Sequence, residues 1–273
     1  MLNKLSKFSA LKNNQKIASL YYLGQEGFIF SINKTSFCID PYLTNYVDKN
    51  CSNNVIKWER LYKSTVKGSD LKFVDYFLFT HTHFDHCDPW TIKEILKTNK
   101  TAKFIISKNN IKILASYGVD KKRILPASVL CPIVVNNIVI TSIPAKHDVF
   151  HKNGPEFDEL CFSISYKDFK LFHGGDTLNY PKLKKYAKYS DICLLPINGR
   201  DEWRTKNDII GNLNPLEAFK LCLKSKSNIL IPMHNDLYKI NCCSNKELDK
   251  ARNKYRNVNF KLLKHDEFIK VEL

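Results

Sequence analysis

A chain of 273 residues with 44% apolar, 12% aromatic and 26% charged side chains has the composition of a folded globular protein, which excludes the disordered and fibrous classes. Its formal net charge of +16, from 43 basic and 27 acidic residues, raises nucleic acid or another anionic partner. Yet only Arg60, Arg123, Arg200, Arg204, Arg252 and Arg256 are arginines, and the lysines are spread along the whole chain. With no basic stripe and no added nucleic-acid module, the charge suits a small anionic substrate better than nucleic acid.

In chain order, Leu2, Leu5, Phe8 and Leu11 recur at helical spacing on a basic segment. They predict a short helical extension over residues 1–17 that packs on the domain, with a membrane anchor or transit signal as the alternative. Runs of β-branched and aromatic residues then predict strands at 18–23, 28–32 and 36–39, an opening meander, followed by strands at 74–79, 103–106 and 138–143. A second set is expected at 161–166, 169–172, 192–195 and 228–231. Helical patterns fall between them at 89–97, 109–117, 180–189, 215–223 and 244–254, several opened by Pro, Asn or Ser as helix starts prefer. Interleaved strands and helices indicate an α/β fold. No Pro/Gly/Ser-rich linker, low-complexity block or repeat divides the chain, so 1–273 reads as a single domain.

The nine cysteines are odd in number and contain no CxxC pair, a pattern of reduced thiols in a cytoplasmic protein rather than a secreted disulfide scaffold. No apolar run approaches the roughly 18 residues that span a bilayer, and no signal-peptide core opens the chain. A membrane partner is not expected.

The chemistry concentrates in His81-Thr-His83-Phe-Asp85-His86, directly after the apolar run Val74-Asp-Tyr-Phe-Leu-Phe-Thr80. Two imidazoles at i and i+2 at a strand end point the same way and can share one ion, while the adjacent Asp and His, after a turn, can face a second. Three further candidates also follow predicted strands: His147 in Pro144-Ala-Lys-His147, Asp176 in His173-Gly-Gly-Asp176-Thr, and His234 in Ile231-Pro-Met-His234. Each alone is weak, but their shared position at strand ends strengthens the set. Cys87 follows His86 directly, yet seven other donors already fill two coordination spheres.

This order of H-x-H-x-D-H, a spaced His, an Asp in a Gly-Asp-Thr turn and a late His resembles the metallo-β-lactamase superfamily. More narrowly, Tyr22-Leu-Gly-Gln-Glu-Gly-Phe28, Cys38-Ile-Asp-Pro-Tyr-Leu43, Thr80 to Pro89, Pro196-Ile-Asn-Gly-Arg-Asp201 with Arg204, and Ile231-Pro-Met-His234 resemble its L-ascorbate-6-phosphate lactonase branch. The resemblance implies an αββα sandwich with a dinuclear site on one edge. It implies that His81, His83 and His147 hold one ion, Asp85, His86 and His234 the other, and that Asp176 bridges them. Manganese is the ion associated with that branch, and zinc or iron with other members. Mixed nitrogen and oxygen donors suit all three.

Two divalent ions about 3.5–4 Å apart activate a shared water and polarise the bond it attacks, so no serine or cysteine nucleophile is required. Asp85 is the candidate catalytic residue, as a ligand that also relays a proton to the leaving oxygen. Asp40 either orients a ligand imidazole from behind or caps the turn before Pro41. For the substrate, Arg200 and Arg204, with Asn198, are candidates for a clamp on phosphate or carboxylate, the alternative for Arg200 being an ion pair with Asp201 and Glu202. Lys146 and Asn235 flank ligands and are further candidate contacts. The leading expectation is hydrolysis of a lactone on a small phosphorylated sugar acid. A metal-dependent phosphodiesterase or nuclease is the alternative, a non-catalytic binding protein on the same fold the third reading, and assembly into a homo-oligomer is left open.

Overall fold

Along each long strand the side chains alternate between two apolar environments, so both faces of each sheet are covered. The computed structural model describes residues 4–273. Helix α1 (Lys4–Ala10) leads into the antiparallel meander β1 (Ile17–Gly24), β2 (Gly27–Ile32) and β3 (Thr35–Ile39). After α2 (Tyr46–Asn50) come β4 (Tyr76–Leu78), α3 (Pro89–Thr98), β5 (Lys103–Ser107), α4 (Ile111–Ser116) and β6 (Ile124–Ala127), with β4 to β6 added in parallel to β3. The second half runs β7 (Ile133–Val135), β8 (Ile138–Pro144), a small hairpin β9 (Lys152–Asn153) and β10 (Glu156–Phe157), β11 (Leu160–Tyr166) and β12 (Phe169–His173). It continues through α5 (Leu183–Tyr186), β13 (Ile192–Pro196), α6 (Glu202–Lys206), α7 (Pro215–Ser225), β14 (Ile229–Met233) and α8 (Asn245–Lys254). The last strand, β15 (Phe268–Glu272), crosses back to pair with β1.

One sheet has the order β15-β1-β2-β3-β4-β5-β6 and the other β14-β13-β12-β11-β8-β7. Between them lie Phe28, Phe30, Phe37, Ile39 and Leu78 from the first and Ile140, Phe162, Ile164, Leu171 and Leu194 from the second, all essentially inaccessible. Phe30 stacks on Phe169 across the gap at 5.8 Å. The opposite face of the first sheet presents Ile29, Phe77, Phe79 and Phe104 to Leu5 and Phe8 of α1, Ile92 and Ile95 of α3 and Leu114 of α4. The opposite face of the second presents Phe172, Cys193 and Leu195 to Leu183, Ala218, Phe219 and Leu248 of α5, α7 and α8. The order is helices, sheet, sheet, helices: the four-layer αββα sandwich.

Helix starts follow local chemistry. Asp88 accepts from the Trp90 amide at 2.9 Å and Pro89 opens α3; Asn214 and Glu217 form a capping box around Pro215 at the start of α7. Two predicted helices are shorter than expected. The segment 180–189 is helical only over Leu183–Tyr186, because the Tyr180 hydroxyl donates to the Pro144 carbonyl at 2.5 Å and Tyr189 takes a left-handed φ of 56°. The segment 109–117 begins its α-helix at Ile111, because Asn109 and Asn110 turn their amides to the side chain and carbonyl of Asp158. Strands β6, β7, β15 and the β9–β10 hairpin, and helices α2 and α6, are additions to the predicted set.

Leu2 lies outside the described residues, but Leu5 and Phe8 do pack α1 on the domain, with Phe8 edge-on to Tyr21 at 5.3 Å. All nine cysteines are unpaired. Among the described residues no helix is long and apolar enough to cross a membrane. Because Phe162 is fully enclosed between the sheets, Phe162→Ala is expected to lower unfolding free energy by about 3–5 kcal/mol in a denaturant titration. A loss below about 1 kcal/mol would mean that this layer is loosely packed.

Candidate metal centre

Strands β4, β8, β12, β13 and β14 all end at one edge of the sandwich, and the loops that follow β4, β8, β12 and β14 carry the candidate ligands. The loop after β4 supplies His81, His83, Asp85 and His86, and the end of β8 supplies His147. A turn after β12 supplies Asp176, and the residue after β14 is His234. The donor atoms form two groups: His81, His83, His147 and Asp176 in one, and Asp85, His86 and His234 in the other. Asp176 stands between them. Its Oδ2 is 3.5 Å from His147 Nε2, 3.6 Å from His86 Nε2 and 3.9 Å from His81 Nε2, and its Oδ1 is 3.5 Å from His234 Nε2. The structure thus brings together all seven residues singled out in the sequence, in the grouping the resemblance implies. Cys87 is not among them: it is buried in the apolar layer under α3.

Backbone geometry at this edge is unusual. Gly175 adopts a φ of 54°, and a Cβ there would meet the Leu160 carbonyl at 2.8 Å and the Thr80 side chain at 2.9 Å. Only glycine lets the chain turn tightly enough to swing Asp176 inward. Gln25, Asp40 and His234 also have positive φ, at 56°, 44° and 57°, although each carries a side chain. Such strain persists where surrounding contacts hold it. Here the His234 amide donates to the Gln25 carbonyl at 2.8 Å, and Asp40 accepts from the Thr80 amide at 2.8 Å.

Asp40 lies behind the ligands. Its Oδ2 is 2.9 Å from His86 Nδ1 and 2.5 Å from Thr80 Oγ1, so the His86 ring turns Nε2 toward the other donors. Three residues were not singled out from the sequence. Gln25 donates to Asp85 Oδ2 at 2.8 Å. His173 Nε2 meets the Glu26 carbonyl at 3.0 Å, while its Nδ1 accepts from the Gly175 amide at 3.1 Å, which braces the Asp176 turn. The Glu26 side chain is fully buried, 3.7 Å from His86 Nδ1. The β1–β2 turn delivers Gln25 and Glu26, and no spacing rule ties that turn to a ligand loop sixty residues away.

Charge is balanced within the cluster. Burial, then the neighbouring His86 and His83, pushes His81 down, and burial pulls His147 down to about 4. Both are neutral imidazoles with a lone pair to donate. Burial also disfavours charge on His86, but Asp85, Asp176 and Asp40 outweigh it and raise the imidazolium. Burial opposes ionisation of Asp176, yet His234, His86 and His147 hold its carboxyl well below the usual range. Burial and then Asp176 raise Glu26.

A pair of divalent ions fits this donor set. His81 Nε2, His86 Nε2 and Asp176 Oδ1 are buried without any hydrogen-bond partner, a cost a protein rarely leaves standing, and all three face the same space. Nitrogen and carboxylate donors without thiolate suit manganese, iron or zinc.

The other candidates lie farther out. Arg200 holds Glu217 in a two-pronged ion pair, 2.8 Å on each side, and donates to the Asn212 carbonyl; the partner is neither Asp201 nor Glu202. Arg204 is buried and donates to Asp201 Oδ2, the Asn198 carbonyl and Asn241 Oδ1. Asn235 turns its carbonyl to the Cys243 amide at 2.6 Å. The Lys146 backbone pairs with Thr177 Oγ1 and the Leu178 amide, which steadies the Gly-Asp-Thr turn. None of Arg200, Arg204, Asn198, Lys146 or Asn235 lines the cleft over the centre.

If Asp40 orients His86, Asp40→Asn is expected to weaken binding of the ion held by Asp85, His86 and His234 by about 10–100-fold in chelator competition. Retention of wild-type affinity would assign Asp40 to the turn alone.

Known proteins resemble this chain over most of its length. The chain is 25% identical over 229 residues to a metal-dependent hydrolase of Hyperthermus butylicus, covering 80% of this chain and 84% of that one. Among solved structures, a metallo hydrolase from Ignicoccus hospitalis superposes with a TM-score of 0.70 at 19% identity, covering 94% of this chain and 99% of that chain. CmlA, a diiron β-hydroxylase from Streptomyces venezuelae, superposes with a TM-score of 0.65 at 13% identity, covering 94% of this chain and 54% of that chain. The model of the beta-lactamase superfamily domain matches residues 19–234, a span from the first strand to the last ligand, and the chain belongs to that superfamily.

Proposed function

We propose that this protein is a metal-dependent hydrolase that opens a lactone or cleaves a related ester. The observation that carries the reading is the cleft above the two donor groups, with His83, Asp85, His147, Asp176 and His234 at its base. Its walls are mainly apolar, Val47, Trp58, Phe84, Ile209 and Ile210, with Cys51, Asp208 and Asn241 among them, a lining that accepts the apolar body of a small substrate. The likeness to a metal-dependent hydrolase of Hyperthermus butylicus supports metal-dependent hydrolysis, and the choice of a lactone or ester rests on the sequence resemblance to the lactonase branch.

His81, His83 and His147 would hold one ion and Asp85, His86 and His234 the other, with Asp176 between them. Bound there, the ions supply Lewis acidity and lower the pKa of a water. The chain's own residues do the rest. Asp40 and Thr80 hold His86 and His81 in place, and Gln25 holds one oxygen of Asp85. Burial opposes charge on Asp85, but His86 and His234 keep it well below the usual carboxylate range, so it is ionised, a weak base that serves as a transient carrier of a proton to the leaving oxygen. The partly exposed Asp85 side chain opens on the cleft, where that transfer would occur.

No lysine or arginine lines the cleft among the described residues, and Arg200 is committed to Glu217. An uncharged lactone therefore suits the lining better than a phosphorylated sugar acid, which would need a cation from farther out. The test is an assay matrix on protein loaded with manganese, zinc or iron. Its substrates are alkyl and aryl lactones, L-ascorbate 6-phosphate, bis-nitrophenyl phosphate and single-stranded RNA, with His81→Ala as control. Turnover of uncharged lactones, abolished in His81→Ala, is expected; turnover of the diester or RNA alone would overturn the proposal. Asp85→Asn is expected to lower kcat by about 100-fold or more, while metal at the His81, His83 and His147 group is retained. Full turnover with both metals in place would remove the proton-transfer role.

A further inference from the structure

Asn241 lies on the wall of the same cleft as His83, Asp85 and His234, and its side-chain amide has one orientation open to it. Arg204 Nη1 is 3.1 Å from Asn241 Oδ1. A guanidinium only donates, so the atom it meets is the amide oxygen. The amide of Asn198 follows: its Nδ2 donates to the same oxygen at 3.0 Å. Arg204 is itself fixed, with Nη1 also donating to the Asn198 carbonyl at 2.9 Å and Nε to Asp201 Oδ2 at 2.7 Å. Both lone pairs of Asn241 Oδ1 are thus occupied behind the wall. Its Nδ2 is not among the sealed, partnerless buried atoms and has no partner among the described residues, so the 6% of Asn241 that is exposed presents an unused N–H donor to the cleft.

We propose that Asn241 is a substrate-orienting donor whose Nδ2 meets an acceptor oxygen of the bound lactone, ester or product carboxylate. Arg204 is then a positioning residue that acts through Asn241 and does not touch the substrate. This rests on the lactone and ester reading above. The neighbouring walls are mostly apolar, Trp58, Phe84, Ile209 and Ile210 among them, and the charged wall residue Asp208 can only accept, so a donor of fixed orientation at Asn241 selects for substrates that place an oxygen opposite it. Analogues that lack the acceptor oxygen forgo this hydrogen bond and are disfavoured by its worth.

Asn241→Asp is the decisive substitution. It keeps the inner oxygen for Arg204 and Asn198 and replaces the outer donor by an acceptor, so it alters the cleft without emptying the network behind it. The probes are phenylacetate, as a product-like carboxylate with an apolar body, and an aryl-substituted γ-butyrolactone, both offered to metal-loaded protein. Asn241→Ala is expected to raise the phenylacetate Kd and the lactone KM by about three- to tenfold, the worth of one hydrogen bond. Asn241→Asp is expected to raise both by more than about tenfold, with metal content and unfolding temperature unchanged. Arg204→Met, or Arg204→Lys where the former does not fold, is expected to raise both in the wild-type background but by less than about twofold on top of Asn241→Ala.

Wild-type Kd and KM in Asn241→Asp would overturn the donor role. An Arg204 penalty undiminished in the Asn241→Ala background would overturn the positioning role. Lactone turnover that is indifferent to Asn241 would sink this inference and leave the hydrolase reading standing. A wild-type protein that neither binds phenylacetate nor turns over the lactone would overturn both.

Discussion

The structure depends on one carboxylate surrounded by imidazoles. Asp176 lies within 3.5–3.9 Å of His81, His86, His147 and His234, which come from three separate strand ends and from both sheets. Buried charges are costly unless opposed and hydrogen-bonded, so these side chains are tolerable only together. The sandwich can bring them together because its two sheets terminate at a common edge, and the register between the sheets is set by large interlocking side chains such as Phe30, Phe162 and Phe169. A slip of one residue in β4 or β14 would turn its ligand loop away from the others.

Further hydrogen bonds constrain the ligands from immediately behind. Asp40, Thr80, His173 and Gln25 each tie a ligand loop to another strand, and Gln25, Asp40 and His234 hold backbone conformations that side-chain-bearing residues rarely adopt. The same hydrogen bonds that keep these conformations also aim the ligands. Strain and geometry are therefore two aspects of one network, which is why it sits at the centre and not elsewhere in the fold.

The cleft above combines an anionic and imidazole-rich base with mainly apolar walls. That division suits a substrate whose reacting carbonyl meets the base while its body contacts Trp58, Phe84 and the two isoleucines. The overall positive charge of the chain has little local expression here, because Arg200 is paired with Glu217 and Arg204 is enclosed in its own network. Charge counted over a sequence does not say where the charge is free to act.

The long strands and the ligand loop were legible in the sequence for a physical reason: alternation of apolar residues and the spacing of His81, His83, Asp85 and His86 are local properties. His147, Asp176 and His234 were legible as strand-end residues, and the resemblance supplied their grouping. The tertiary structure alone decided what depends on contacts between distant segments. β15 pairs with β1 across the length of the chain. Arg200 finds Glu217 rather than its neighbours, Glu26 is buried beside His86, and Asn241 is turned by Arg204 to face the cleft. None of these has a signature in spacing, because each is set by which loops the closed sandwich places side by side.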